Sequence, residues 1–189
     1  MDNHVAAGSS TSHLGHLALG VTLLAFGIGT TGVINGVSAA DSVSIATWIG
    51  GVALFVAGLF EFRGGNSFNG TAFAGLGAFW FTWAAGVGDK VSANGAGLFL
   101  LLWALLALSL MLGAGEGLLG QATYGLFFLS LVVLAVGRFA DSGSLGKVGG
   151  WVAVVAGAAA WYAATAALAG WPRALPGRAA GRGVTAAGQ

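Results

Sequence analysis

Six apolar runs, at about 14–34, 43–60, 71–88, 95–113, 120–137 and 148–171, succeed one another with no Asp, Glu, Lys or Arg inside any of them. Each is at least 18 residues long. At about 1.5 Å per residue, a helix of that length covers the roughly 30 Å hydrocarbon core of a bilayer. Hydrocarbon offers the backbone no hydrogen-bond partner, so a segment that crosses it must bond internally as a helix or close into a barrel. Runs of this length and polarity predict helices. The expected fold is an all-α integral membrane protein, a six-transmembrane-helix bundle with short loops.

The charges are placed as that reading requires. Only 7% of the 189 residues are charged, against about 25% in soluble domains. Asp41, Glu61, Arg63, Asp89, Lys90, Glu116, Arg138, Asp141 and Lys147 all fall in or beside the turns Asn35–Ser42, Glu61–Gly70, Asp89–Asn94, Ala114–Leu119 and Arg138–Lys147. A charge at a helix centre costs on the order of 2.5–3.5 kcal/mol on insertion scales. Here that cost is avoided throughout. The turns join antiparallel neighbours in an up-down order. Residues 1–13 read as a disordered polar tail, 14–171 as the transmembrane domain, and 172–189 as a flexible basic tail. The first run lacks a basic leader and a small-residue cleavage site, so no cleaved signal peptide is expected. Six crossings put both termini on one face. Arg63, Arg173, Arg178 and Arg182 then oppose Lys90, Arg138 and Lys147, a narrow majority for cytoplasmic termini in the cell membrane.

Glycine, at 35 residues, is the other departure from ordinary composition. Lipid provides no hydrophobic force between helices, so small residues that let backbones touch must help to join them. Ala156, Ala160 and Ala164 recur at helical spacing, as do Gly113 and Gly117, and predict packing within the chain or between subunits. The two prolines, Pro172 and Pro176, lie beyond the last run, so the spans should lack proline kinks. GGVALFVAG at 50–58 is echoed by GGWVAVVAG at 149–157, a similarity that a chain rich in Gly, Ala and Val can produce by chance. Trp48, Trp151 and Trp171 stand near span ends, as interfacial rings do, whereas Trp80, Trp83 and Trp103 are expected to pack inside.

Several chemistries are excluded. The chain has no cysteine, so thiolate metal sites and disulfides are absent. Its three histidines, His4, His13 and His16, all lie near the N-terminus. No Gly-x-Ser-x-Gly elbow or phosphate-binding loop accompanies them, so no enzyme, cofactor or metal site is expected. The net charge of +1 gives nucleic acid no basic face to bind. The polar residues within the runs are neutral, among them Thr22, Thr30, Thr31, Thr82, Ser109, Thr123, Tyr124 and Ser130. Most should bond to nearby carbonyls. A corridor without buried ions offers no strong site for a fully charged solute.

The turn between the second and third runs carries a resemblance. Ala57-Gly58-Leu59-Phe60-Glu61-Phe62-Arg63, Gly65-Asn66-Ser67-Phe68, Thr71-Ala72-Phe73 and Gly77 with Phe79-Trp80 resemble the acetate uptake transporter family, including succinate–acetate permeases of the YaaH type. The family's pattern reads Ala-Gly-Leu-x-Glu-aromatic-basic-x-Gly-Asn-(Thr/Ser)-Phe, then Thr-Ala-Phe and Gly-x-Phe-Trp. The resemblance implies a homo-hexamer in lipid, each protomer having its own pore for acetate, with succinate a further substrate, and protons. It also implies an apolar constriction from the first, third and fifth helices, falling on Leu19, Leu76 and Phe127. His16, Glu61, Arg63, Asn66 and Thr71 then belong to the pore mouth. One departure stands out. The family's opening signature Asn-Pro-Ala-Pro-Leu-Gly-Leu is here Ser10-Thr11-Ser12-His13-Leu14-Gly15-His16. That change leaves open a channel for a small neutral solute, urea or ammonia, and also a scaffold that transports nothing.

Overall fold

The computed structural model describes residues 10–86, 91–115 and 117–171. Asp89, Lys90, Glu116, His4, the tail segments 1–9 and 172–189 and their three arginines lie outside the described residues. Six helical rods follow in order: α1 (Ser10–Thr31), α2 (Ala39–Arg63), α3 (Ser67–Gly86), α4 (Ala93–Gly113), α5 (Leu118–Phe139) and α6 (Gly143–Ala169). Five of them are long and apolar enough to cross a membrane by length and composition. The sixth, α3, has 20 residues. Its polar start, Ser67 to Thr71, and its glycines lower its hydropathy.

The helices outrun the apolar runs by several residues at most ends. Glu61 and Arg63, expected in a turn, form the last helical turn of α2, and Arg138 and Lys147 are helical too. The reason lies at the bilayer edge, where water and headgroups tolerate a charge while the backbone keeps its ladder. The connection after Arg63 is consequently three residues, 64–66. Gly65 adopts a left-handed φ of 81°. Asn66 N then donates to Glu61 O at 2.9 Å and Gly65 N to Phe62 O at 3.1 Å. This is the Schellman closure that glycine favours. Asn66 Oδ1 in turn accepts from Asn69 N at 3.2 Å, capping α3. Ser92 and Ser142 cap α4 and α6 in the same way.

Besides α4 on α5 and α5 on α6, which pack along their lengths, two pairs of helices meet through glycines. In α1 and α6, Gly20 meets Gly157 and Gly27 meets Gly150. A Cβ added at Gly20 would lie 2.8 Å from Trp161 N, and one at Gly27 would lie 2.8 Å from both Gly150 O and Val154 N. Each pair is seven residues from the next and the order is reversed, which is antiparallel packing in register. In α2 and α3, Gly58 sits on the Ala74 backbone, and a Cβ at Gly77 would lie 2.8 Å from Phe55 N. Ala156, Ala160 and Ala164 are buried within the chain, so that stripe packs internally. Gly113 is exposed, and Gly117 falls in the turn before α5.

By contrast α3 and α4, though consecutive, scarcely approach each other through their backbones. Large rings fill the space instead: Phe79 stacks on Phe99 with centroids 5.6 Å apart and meets Trp103 edge-on at 5.5 Å. Proline is indeed absent from the helices, but α2 carries another irregularity, a π-helical stretch over Ala46–Ala53. Gly50 there receives the Trp80 indole, and a Cβ would stand 2.8 Å from its Cγ. The echo at 149–157 lies in regular helix against α1, so its two copies do different work.

The outer surface is apolar. Leu98, Leu102, Leu105 and Leu112 of α4 and Trp151, Val155 and Trp161 of α6 are exposed. Trp171 is exposed beyond the end of α6, Trp48 is exposed well inside α2 in its π-helical stretch, and Trp80 is fully buried. An apolar surface on every side has no counterpart in a monomer built for water. The Gly20→Val variant should destabilise the bundle by about 1–3 kcal/mol through overpacking against α6. Thermal unfolding in detergent measures this, and an unchanged melting temperature would show that α1 and α6 need no close approach.

Candidate functional site

At the end of the bundle where α1 and α3 begin and α2 ends, a polar cluster forms from three helices. Ser12 Oγ donates to Glu61 Oε1 at 2.9 Å, and Asn69 Nδ2 donates to Ser12 Oγ at 3.1 Å. His16 Nδ1 stands 2.7 Å from Ser12 O. A carbonyl oxygen only accepts, so Nδ1 carries the proton. The imidazole meets the Phe73 ring edge-on at 5.0 Å, while Phe73 lies over Gly15, where any side chain would strike it. Glu61 is only 3% exposed. It is therefore held inside the rim and does not stand open at the mouth.

The other expected mouth residues are dispersed. Arg63 and Asn66 are exposed at the elbow. Thr71 faces away from the cluster. With Ser67, Phe68, Leu106, Ser109, Leu110 and Gly113 it lines an outward-open groove of about 320 Å³ between α3 and α4. Asn69, Phe73, Leu76 and Trp80 instead form the inward stripe of α3, at helical spacing.

Leu19, Leu76 and Phe127 come from α1, α3 and α5 and are buried to within 1%. They join one continuous apolar cluster. Phe127 touches α3 twice, edge-on to Phe79 at 5.6 Å and stacked on Trp80 at 6.3 Å. Trp80 also meets Phe26 of α1 at 5.4 Å. The interior is thus a neck of side chains closed to solvent, between helices whose backbones stand apart. The hydroxyls of its walls are mostly spent on carbonyls: Thr22 on Ala18 O at 2.7 Å, Thr123 on Leu119 O at 2.9 Å, Ser130 on Gly149 O at 2.8 Å. No Lys or Arg is buried among the described residues.

Residues 4–172 match the GPR1/FUN34/yaaH family. The chain belongs to that family. Among its relatives is the succinate-acetate/proton symporter SatP of Escherichia coli (strain K12), 35% identical over 159 residues, which span 75% of this chain and 82% of that protein. The glyoxylate pathway regulator of Yarrowia lipolytica is 30% identical over 170 residues, 82% of this chain and 62% of that protein. The ammonia transport outward protein 2 of Saccharomyces cerevisiae is 30% identical over 142 residues, 67% of this chain and half of the yeast protein. The fold superposes on the structure of the bacterial acetate channel SatP with a TM-score of 0.79 and 26% identity, covering 90% of this chain and 99% of that one. This is a multi-pass membrane protein of a transporter and channel family, not an enzyme.

As a family member the chain is unusual at its first turn. Ser12 occupies the alanine position of the family's opening signature, and His16 replaces its last leucine. The prolines of the signature have no equivalents here, and α1 is regular helix from Ser10. The sequence reading missed Ser12 and Asn69. Their signal was spacing, since Ser12 lies one turn before His16 and Asn69 one turn before Phe73. Ser12→Ala should cost about 1–3 kcal/mol, because it removes the donor to a buried carboxyl. Ser12→Ala and Asn69→Ala should also be non-additive in thermal unfolding, and strictly additive losses would show that the cluster does not act as a unit.

Proposed function

We propose that this chain carries acetate and related small monocarboxylates across the cell membrane, in a proton-linked manner, through a pore in each protomer. The observation that carries this reading is a buried interior without a cation among the described residues, closed by Leu19, Leu76 and Phe127. A buried Arg or Lys would hold a carboxylate too firmly to release it. An apolar neck with neutral walls favours the protonated acid, or an anion held by hydrogen bonds alone. Carboxylic acids of this kind titrate near pH 4, so each unit of acidification raises the scarce neutral form about tenfold. The names of the Escherichia coli relative and of the superposed channel support the substrate class. Succinate is a second candidate substrate on the same ground.

The finer reading has six crossings, with α3 as the least apolar of them, shielded from lipid by α2 and by subunit contacts in a hexamer. Both termini lie in the cytoplasm. His16, Arg63 and Asn66 belong to the mouth at that end, with Glu61 buried just inside it and Thr71 in the groove at its side. Arg63 raises the local anion concentration there, whereas Glu61 organises the rim.

In liposomes the purified protein should take up labelled acetate faster than empty vesicles do, and faster at pH 5.5 than at 7.5. Absence of enhancement for every acid of two to four carbons would refute the reading. A second reading, outward ammonia transport, is favoured by the names of the yeast relatives. Under it, methylamine flux should exceed acetate flux and rise with pH. The Leu76→Trp variant should slow acetate uptake several-fold with assembly intact, since it adds bulk to the neck. Uptake equal to wild type would remove Leu76 from the gate.

A further inference from the structure

Two buried side-chain polar atoms find no hydrogen-bond partner among the described residues: Trp80 Nε1 and Tyr124 Oη. Every other buried hydroxyl in the neck walls, from Thr22 to Ser130, bonds to a carbonyl. The placement of the two exceptions is not random. Tyr124 lies one helical turn before Phe127 on α5, on the same face. Trp80 stacks on Phe127 from α3. Helices α3 and α5 start at the same end of the bundle, and Tyr124 meets Phe68, the second residue of α3, edge-on at 6.0 Å. Tyr124 is therefore on the rim side of Phe127, and Trp80 is level with it or deeper.

Neither polar atom is needed for packing. Phenylalanine would fill the tyrosine site equally well, and a buried hydroxyl without a partner destabilises a fold where a phenyl ring does not. In a bilayer, water does not relieve the deficit cheaply. Both atoms can donate, which is what a carboxyl oxygen accepts. Phe68, the edge partner of Tyr124, is also a wall of the outward-open groove that holds Thr71 and Ser109. Phe68 is thus the ring between the groove and the tyrosine.

We propose that Tyr124 Oη, on the rim side of Phe127, and Trp80 Nε1, beside or beyond it, are the two donors that hold the permeant carboxyl group as it passes Phe127, so that its oxygens go from one to the other without being stripped of hydrogen bonds. This assignment rests on the carboxylate reading above. It adds a role for Tyr124, one of the neutral polar residues within the runs.

The test compares wild type, Tyr124→Phe and Trp80→Phe in liposomes and in detergent. Tyr124→Phe should raise the KM for acetate about tenfold, the loss expected for one hydrogen bond to a charged acceptor. Its melting temperature without acetate should be unchanged or higher. In both variants the extra thermal stability conferred by sodium acetate over sodium chloride should shrink, a readout that cancels any packing loss in Trp80→Phe. A wild-type KM in Tyr124→Phe, or a raised KM with an equal loss of stability, overturns the assignment while leaving acetate transport intact. Wild-type protein that neither transports nor is stabilised by acetate overturns the carboxylate reading, and the assignment with it.

Discussion

Helices in lipid gain nothing by hiding leucine from leucine, so this bundle depends on how closely its backbones can approach. The reciprocal seats of Gly20 on Gly157 and Gly27 on Gly150 bring α1 and α6 to backbone contact. At that range, dispersion and weak Cα–H contacts replace the hydrophobic force. The same device joins α2 to α3 at Gly58 and Gly77. With α4 packed on α5 and α5 on α6, these seams set the register of the bundle.

What the seams leave open is as important. Because α1 is held to α6 and α2 to α3, the space between α3 and its neighbours α4 and α5 stays wide, and aromatic rings fill it. Phe79 alone touches Trp80, Phe99, Trp103 and Phe127. Ring contacts of this kind are adaptable in a way that backbone contacts are not. A ring can turn about its side-chain bonds while the helices stay in place. The fold thus combines glycine-mediated backbone contacts with an interior filled by aromatic rings.

Polarity is graded along the same axis. Near the rim, Glu61 is buried but supplied with a donor by Ser12, which Asn69 and His16 engage in turn. Deeper in, hydroxyls bond to carbonyls of their own or adjacent helices, leaving the walls neutral. The helix ends explain why a carboxyl can be buried at one level and not at the other. Within a turn of the rim, three helix termini bring polar side chains together, whereas mid-helix the buried polar side chains are neutral hydroxyls and an indole.

Much of this was legible in the chain. The apolar runs, the exile of charge to the helix ends and connections and the Gly-Gly-Asn elbow follow from the cost of placing ions and unpaired backbone groups in hydrocarbon, a cost that depends only on local sequence. The resemblance around Glu61 identified the family for the same local reason. The glycine pairs were present as letters, but which glycine faces which cannot be read from one helix at a time. Nor did the spacing of Thr71 show that it turns toward α4 while Asn69 turns inward. The burial of Glu61, the π-helical seat for Trp80 and the unpartnered hydroxyl of Tyr124 arise only when α1, α2, α3 and α5 are packed together. Sequence alone determined where the chain meets lipid and where it meets water, since transfer energies are properties of single segments. Tertiary structure alone decided which polar atoms find partners, because a hydrogen bond needs two groups brought to about 3 Å from distant parts of the chain.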